Sequence, residues 1–310
     1  MAQLPPPTRN TVTEIYKAYE ENQGDSRRPH LGASQIGKAC ERALWYSFRW
    51  ARTIRHEGRL LRLFDSGNHE EPRLVSDLRE IGCEVVEIDP ENGRQLSVVD
   101  PENRHFGGSM DGMALGIPEA PKTWHVLEFK THGEKSFKLL LKDGVLASKP
   151  EHYAQMQIYM HFRGLTRALY LAKNKNTDEL YCERIEYDMA YALQLVEKAR
   201  RVTFSQEPPV RQWGPDYYLC KWCDWYDVCH KDDQPERNCR TCMHSTPKPD
   251  GTWICERHDN AALDIDIQRK GCGDQRYIPA LVPLEQTDYD PRTGDVMYNG
   301  WTDAGPDSAV

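Results

Sequence analysis

The chain opens Pro-rich and then carries a short amphipathic stretch, TVTEIYKAYEEN. From Ser34 to Phe64 apolar and basic positions recur at helical spacing, which predicts a helix. Gly67 punctuates it, and EEPRLVSDLREIG predicts a second helix stopped by Gly82. Four strand-like segments follow, Cys83–Asp89, Gln95–Val99, Phe106–Leu115 and His125–Lys130, separated by turn residues such as DPENG. Ser136–Lys142 predicts a helix, and Pro150, suited to a first helical turn, opens another through His161. Two more strands, Arg167–Ala172 and Leu180–Tyr187, flank the hairpin-like turn KNKNTD, and a helix runs from Met189 to Phe204. This order predicts an α/β protein, a mixed central sheet with helices packed on it.

Beyond Cys229 the texture changes. HKDDQPERN reads as a linker, and the segment 281–310 is acidic and rich in Gly, Pro and Asp, so a flexible tail is expected. The organisation read from the chain is an N-terminal extension (1–30), a core (31–232), a small Cys-rich module (233–280) and that tail. No apolar run approaches the roughly 20 residues that span a bilayer, and the N-terminus lacks a basic start with an apolar stretch. A cytoplasmic protein without membrane partners is expected.

The formal net charge of −8 disfavours a uniformly basic nucleic-acid binder, but its distribution matters more. Residues 1–64 hold eleven bases against six acids, whereas 281–310 hold six acids against one arginine. Arg42, Arg49, Arg52, Arg55, Arg59 and Arg62 lie among Trp45, Tyr46, Phe48 and Trp50. They read either as a solvated basic face or as a stripe following a phosphate backbone.

Asp111 sits in GGSMDGMA, and Glu128 and Lys130 sit in VLEFKT. Side chains at i and i+2 of a strand share a face, so Glu128 and Lys130 project together while Phe129 turns to an apolar side. Two carboxylates and a lysine converging there suit phosphodiester hydrolysis with Mg²⁺ or Mn²⁺, hard ions that prefer oxygen ligands. Upstream, Gly67-Asn68-His69-Glu70 brings a carboxylate to a helix start. Downstream, Gln155 and Tyr159 lie one helical turn apart.

The order G-x-x-E, G-x-x-D-G, E-F-K, Q-x-x-x-Y over Gly67–Tyr159 resembles the RecB-like branch of the PD-(D/E)XK nucleases. The resemblance implies a restriction-endonuclease-like core. It implies Asp111, Glu128 and the Phe129 carbonyl as metal ligands, with Glu70 (or the neighbouring His69) completing the shell. It implies Lys130 as the catalytic lysine, and Gln155 and Tyr159 as residues that support the site and contact DNA.

Ten cysteines in an intracellular chain favour metal binding over disulfides. Cys83 and Cys182 stand alone in apolar-alternating segments and read as core residues. Cys220, Cys223 and Cys229 form a C-x2-C-x5-C cluster, with Cys40 as a distant fourth thiol. Four thiols suit zinc or an iron–sulfur cluster. The one-plus-three arrangement around the core resembles the iron–sulfur members of the family, such as the AddB nuclease domain and the CRISPR-adaptation exonucleases. That implies a structural 4Fe–4S clasp. Cys239, Cys242, Cys255 and Cys272 fall within one short segment and suit a tetrahedral Zn²⁺ site, with His244 or His258 able to replace a sulfur.

The function expected is a metal-dependent DNA exonuclease in recombination, repair or phage DNA processing. The sequence lacks G-x4-G-K-[ST], so any single-strand annealing protein or helicase is a separate partner. A catalytically silent DNA-binding scaffold would not need Asp111, Glu128 and Lys130 together, and a redox sensor would need none of them.

Overall fold

The computed structural model describes residues 10–303. Its helices are α1 (Thr11–Glu21), α2 (Ala33–Ile36), α3 (Glu41–Phe48), α4 (Gly58–Asn68), α5 (Glu71–Glu80), α6 (Glu134–Ser148), α7 (Pro150–Arg163), α8 (Met189–Phe204), α9 (Tyr218–Lys221), α10 (Tyr226–His230) and α11 (Ile265–Lys270). The strands that build the core are β1 (Leu31–Gly32), β2 (Glu84–Val86), β3 (Ser97–Val99), β4 (Phe106–Ser109), β5 (Gly112–Leu115), β6 (His125–His132), β7 (Arg167–Asn174) and β8 (Leu180–Glu186).

The main sheet has the order β2-β5-β6-β7-β8 and is mixed. Only β6 and β7 run parallel, joined by a crossover through α6 and α7. Strand alternation divides the core. Val126, Ala168, Tyr170 and Ala172 face α7 and α8, while Leu127, Phe129, Leu169 and Leu171 meet Leu74, Val75 and Leu78 of α5. The expected α/β class with a mixed sheet and flanking helices is thus present.

Two elements depart from the sequence reading, and both shape the site. The segment expected as one strand from Phe106 to Leu115 is two strands in different sheets. β4 joins the order β1-β4-β3, whereas β5 pairs with β6, so the chain changes sheet across Met110 and Asp111. The helix expected over Ser34–Phe64 is three. Trp50 adopts the left-handed conformation just after α3, with φ 52°. Its indole donates to the Arg28 carbonyl (2.7 Å) and the ring is fully buried, which overrides the helical pattern. The arginines are dispersed accordingly. Arg49 is buried against Trp45 and Trp253, and Arg52 pairs with Asp227, while Arg55, Arg59 and Arg62 remain exposed.

The N-terminal extension docks on α4. Tyr19 donates to Asp65, and Gly58 lies so close to the Tyr16 backbone that a Cβ would sit 2.1 Å from its carbonyl oxygen. At the other end, the segment expected as a linker is tied down. Glu236 accepts from Thr53 N and Oγ1 at 2.6 and 2.7 Å.

The following residues form two small antiparallel sheets. One comprises β9 (Ser245–Pro247), β10 (Trp253–Cys255) and β11 (Ala261–Ala262). The other comprises β12 (Gln286–Tyr289), β13 (Val296–Tyr298) and β14 (Trp301–Asp303), so the expected flexible tail is ordered as far as Asp303. It is pinned because the buried Asp303 carboxylate accepts from Tyr277 N and pairs with Arg237. Residues 304–310 lie outside the described residues.

Trp253, Ile278 and Leu281 belong to the same apolar core as α3, α7 and α8. Arg240, 1% exposed, stacks 3.7 Å over Trp50 and 4.8 Å over Trp253, and donates to the carbonyls of Phe48 and Pro29. Trp253→Ala is therefore expected to cost about 3–5 kcal/mol, as for other fully buried aromatic truncations. Denaturant unfolding of the variant should show one cooperative transition shifted as a whole, not the loss of a separate small phase.

Candidate active site

The site forms where β5 leaves β6. Their pairing ends at Gly112 opposite Leu127, so beyond that point β6 has no backbone partner on this side. The Asp111 side chain takes over, its Oδ2 accepting from Phe129 N at 2.7 Å. One carboxylate is thus fixed by the strand that carries the next. Glu128 and Lys130 project to one face, as expected, and Phe129 points into the α5 side of the core.

Glu128 is fully buried, and among the described residues its oxygens have no partner other than Lys130. Its one charged contact is the ion pair between Oε1 and the Lys130 ammonium, which also donates to the Phe129 carbonyl at 2.9 Å. Burial, reinforced by the charges of Asp111 and Glu71 and opposed by Lys130, pushes the Glu128 carboxyl up to about 7. The Lys130 ammonium is raised by Glu128, Asp111 and Glu71 against the opposing effect of burial. Glu71 is itself raised, first by burial and then by Asp111. Three carboxylates and one lysine therefore form a single electrostatic cluster. It opens on a cavity of about 350 Å³ whose wall includes Glu71, Glu70, Lys130, Lys175 and Phe64.

Glu71 was missed by the sequence reading, which chose Glu70. Glu70 lines the same cavity, but its oxygens bind Arg73 (3.2 Å) and Lys173 (2.8 Å), which with Asp178 tie α5 to the β7–β8 hairpin. His69, mostly exposed, pairs with Asp65. The signal that separates the two glutamates was in the chain. Glu71 leads the apolar stripe Leu74, Val75, Leu78 at i+3, i+4 and i+7, so it shares the face that meets the sheet.

Gln155 and Tyr159 are brought together, Gln155 Nε2 donating to the Tyr159 hydroxyl at 3.0 Å. That hydroxyl donates to the Ser109 carbonyl at 2.5 Å, fixing β4 two residues before Asp111. Gly108 permits the approach, since a Cβ there would lie 3.0 Å from the hydroxyl. Both side chains are buried, so their visible part is to hold Asp111's strand.

A second group went unread. Tyr170, opposite Glu128 in the β6–β7 register, has its hydroxyl 2.8 Å from His132 Nε2 and 2.9 Å from His152 Nδ1. Burial and nearby lysines lower both imidazoles, His132 to about 4 and His152 to about 3, so both are neutral at neutral pH. They bond the register partner of Glu128 without adding charge.

Cysteines within each expected group lie in electrostatic reach of one another. Burial raises the Cys220 and Cys223 thiols, with Cys40 a further contributor to each and Cys229 to Cys220. In the second group burial pushes Cys239 up to about 12 and Cys242 up to about 11, and Cys255 and Cys272 add to both. All ten cysteines are free thiols. Among the described residues no group of three or more His, Cys, Asp or Glu side chains stands in the arrangement of a metal site.

No family model matches the chain, and no curated protein does. Three solved structures to which it is similar share a TM-score of 0.42. LHK-Exo, an alkaline exonuclease from Laribacter hongkongensis, is 19% identical over 60% of this chain and 90% of its own. Its complex with dAMP is 20% identical over 61% of this chain and 89% of its own, and SSO0001 is 16% identical over 71% and 96%.

Glu128 gives a measurable pH dependence. A carboxyl raised on folding contributes stability that is full below its ordinary value of 4.5 and is lost as pH rises through about 7. Wild type should lose thermal stability relative to Glu128→Gln between about pH 5 and about pH 8. Mn²⁺ should raise the wild-type Tm more at the higher pH, because the ion takes the place of the proton. Parallel Tm–pH curves for the two proteins would contradict the buried charge.

Proposed function

We propose that the chain is a divalent-metal-dependent deoxyribonuclease of the PD-(D/E)XK type that acts at DNA ends. The observation that carries this reading is the buried Glu128 carboxylate, coupled to Asp111, Glu71 and Lys130, the last two of which line a cavity. Burying an ionised carboxylate with a single cation as its partner is costly. The oxygens of Glu128 and Phe129 already hold the Lys130 ammonium between them, a cation-binding geometry. The donor set is all oxygen, which fits Mg²⁺ or Mn²⁺. Asp111, Glu128, Glu71 and the Phe129 carbonyl would hold the ion. When bound it would supply Lewis acidity, acidifying a water and stabilising charge on the phosphate.

The rest of the chemistry lies with the chain's own groups. Lys130, kept protonated by its carboxylate neighbours, orients the attacking oxygen and neutralises charge developing on the phosphoryl group. The Tyr159–Ser109 and Phe129–Asp111 bonds fix both carboxylate-bearing strands before substrate arrives. Neutral His132 and His152 hold the Tyr170 hydroxyl, on the residue opposite Glu128, without adding charge.

The finer reading places the chain in the RecB-like iron–sulfur branch, working in the cytoplasm with a separate annealing protein or helicase. On this reading Cys40, Cys220, Cys223 and Cys229 hold a 4Fe–4S cluster, and Cys239, Cys242, Cys255 and Cys272 hold Zn²⁺. Support comes from the fit of the residues. In each group burial raises two of the thiols and other cysteines of the same group add to the shift, which puts those sulfurs within electrostatic reach of one another. Cys40 also caps α3, accepting from Ala43 N, so a clasp there would join α3 to α9 and α10.

Linear DNA should be digested with Mg²⁺ or Mn²⁺, and Lys130→Ala, Glu128→Ala and Glu71→Ala should each lower the rate about a hundredfold or more. Glu70→Ala should have a much smaller effect. Intact DNA in every wild-type reaction overturns the enzyme. Separately, anaerobically purified protein should absorb broadly in the visible and lose its iron in Cys223→Ser, while Cys242→Ser loses zinc. A colourless protein with zinc in both groups overturns the cluster.

A further inference from the structure

Trp222 is 90% exposed, and Tyr218 beside it is 63% exposed. Just before them, Trp213 stacks on Tyr217 at 4.8 Å and 13°, and Tyr217 lies 4.8 Å from Tyr218. Trp222 and Tyr218 wall a cavity of about 340 Å³ together with Lys38 and Trp225. A second cavity, of about 200 Å³, shares Lys38, Asp224 and Trp225 with it and is lined by Arg27, Arg28, Arg52 and His56. The His56 ring meets Phe64 edge-on at 5.4 Å, and Phe64 walls the carboxylate cavity with Glu71 and Lys130. The three cavities are therefore linked residue by residue.

Charge along this line is one-sided. Arg27 and Arg52 are paired with Asp25 and Asp227. Arg28 and Lys38 have no carboxylate partner among the described residues, and Glu151 and Asp224 are the acids that line the two outer cavities. Exposed π faces interleaved with unpaired cations bind the bases and phosphates of a single strand. A duplex keeps its base faces stacked and offers none to Trp222.

We propose that these cavities form a single-strand DNA path, leading from the carboxylate site past Arg28 and Lys38 to a base stacked on Trp222. This rests on the deoxyribonuclease reading and adds to it the strand form and the residues that hold it. The path is indifferent to base identity, because stacking and phosphate contacts are available to every nucleotide.

The test is binding without cleavage, in chelator and on a Lys130→Ala background, with fluorescein-labelled oligothymidylate as the probe. Binding should quench tryptophan fluorescence. Trp222→Ala should weaken affinity about tenfold, with Trp222→Tyr restoring most of it. Lys38→Ala should weaken it and flatten its salt dependence. Since the Trp222 side chain is almost wholly in solvent, an unchanged Tm is expected for its variants. Equal affinities for wild type and Trp222→Ala overturn the path, as does equal quenching by a blunt duplex. Tenfold weaker capture of an unrelated protein with unchanged DNA affinity would also overturn it, marking a protein-docking surface. If wild type binds the strand but never cuts, the nuclease reading fails while the path stands.

Discussion

A carboxylate taken wholly out of water is the constraint around which the rest of this molecule is arranged. Glu128 sits mid-strand in a sheet covered on both faces, where its charge is unfavourable and its proton is retained to about pH 7. Such a group persists only with compensation at hand. Here the sheet opens beside it, an ammonium lies against it, and two further carboxylates are held within electrostatic reach. The same parting of β5 from β6 frees Phe129 N to hold Asp111, so one backbone defect creates both the access and the second acid.

Much of this was legible in the chain. The i, i+2 rule placed Glu128 with Lys130 and turned Phe129 away, and helix spacing paired Gln155 with Tyr159. The change of sheet at Met110–Asp111 was not legible, because Phe106–Leu115 satisfies one strand pattern on either side of the break. Which strands receive each half is decided by partners far along the sequence. Glu71, which the motif spacing passed over for Glu70 or His69, is marked out by its place on the apolar stripe of α5.

The helical arginine pattern failed for a different reason. Arg49 and Trp50 are drawn inward by residues about 190 positions later, a separation that local periodicity does not report. The same holds for Tyr170, His132 and His152. Each looks ordinary in its own segment; the parallel register of β6 with β7 sets Tyr170 opposite Glu128, and the Tyr170 hydroxyl then meets His132 of β6 and His152 of α7.

The stacking of Arg240 between Trp50 and Trp253 bears on how the chain comes into being. The carbonyls it satisfies belong to Phe48 and Pro29, 192 and 211 positions earlier in the chain. Until that segment emerges, Trp50 and the end of α3 lack their cover, and the early part of the chain remains an unsealed intermediate. Completion of the core is thereby tied to synthesis of the segment that carries Arg240. A product ending before Arg240 would display this aromatic interior to quality-control machinery.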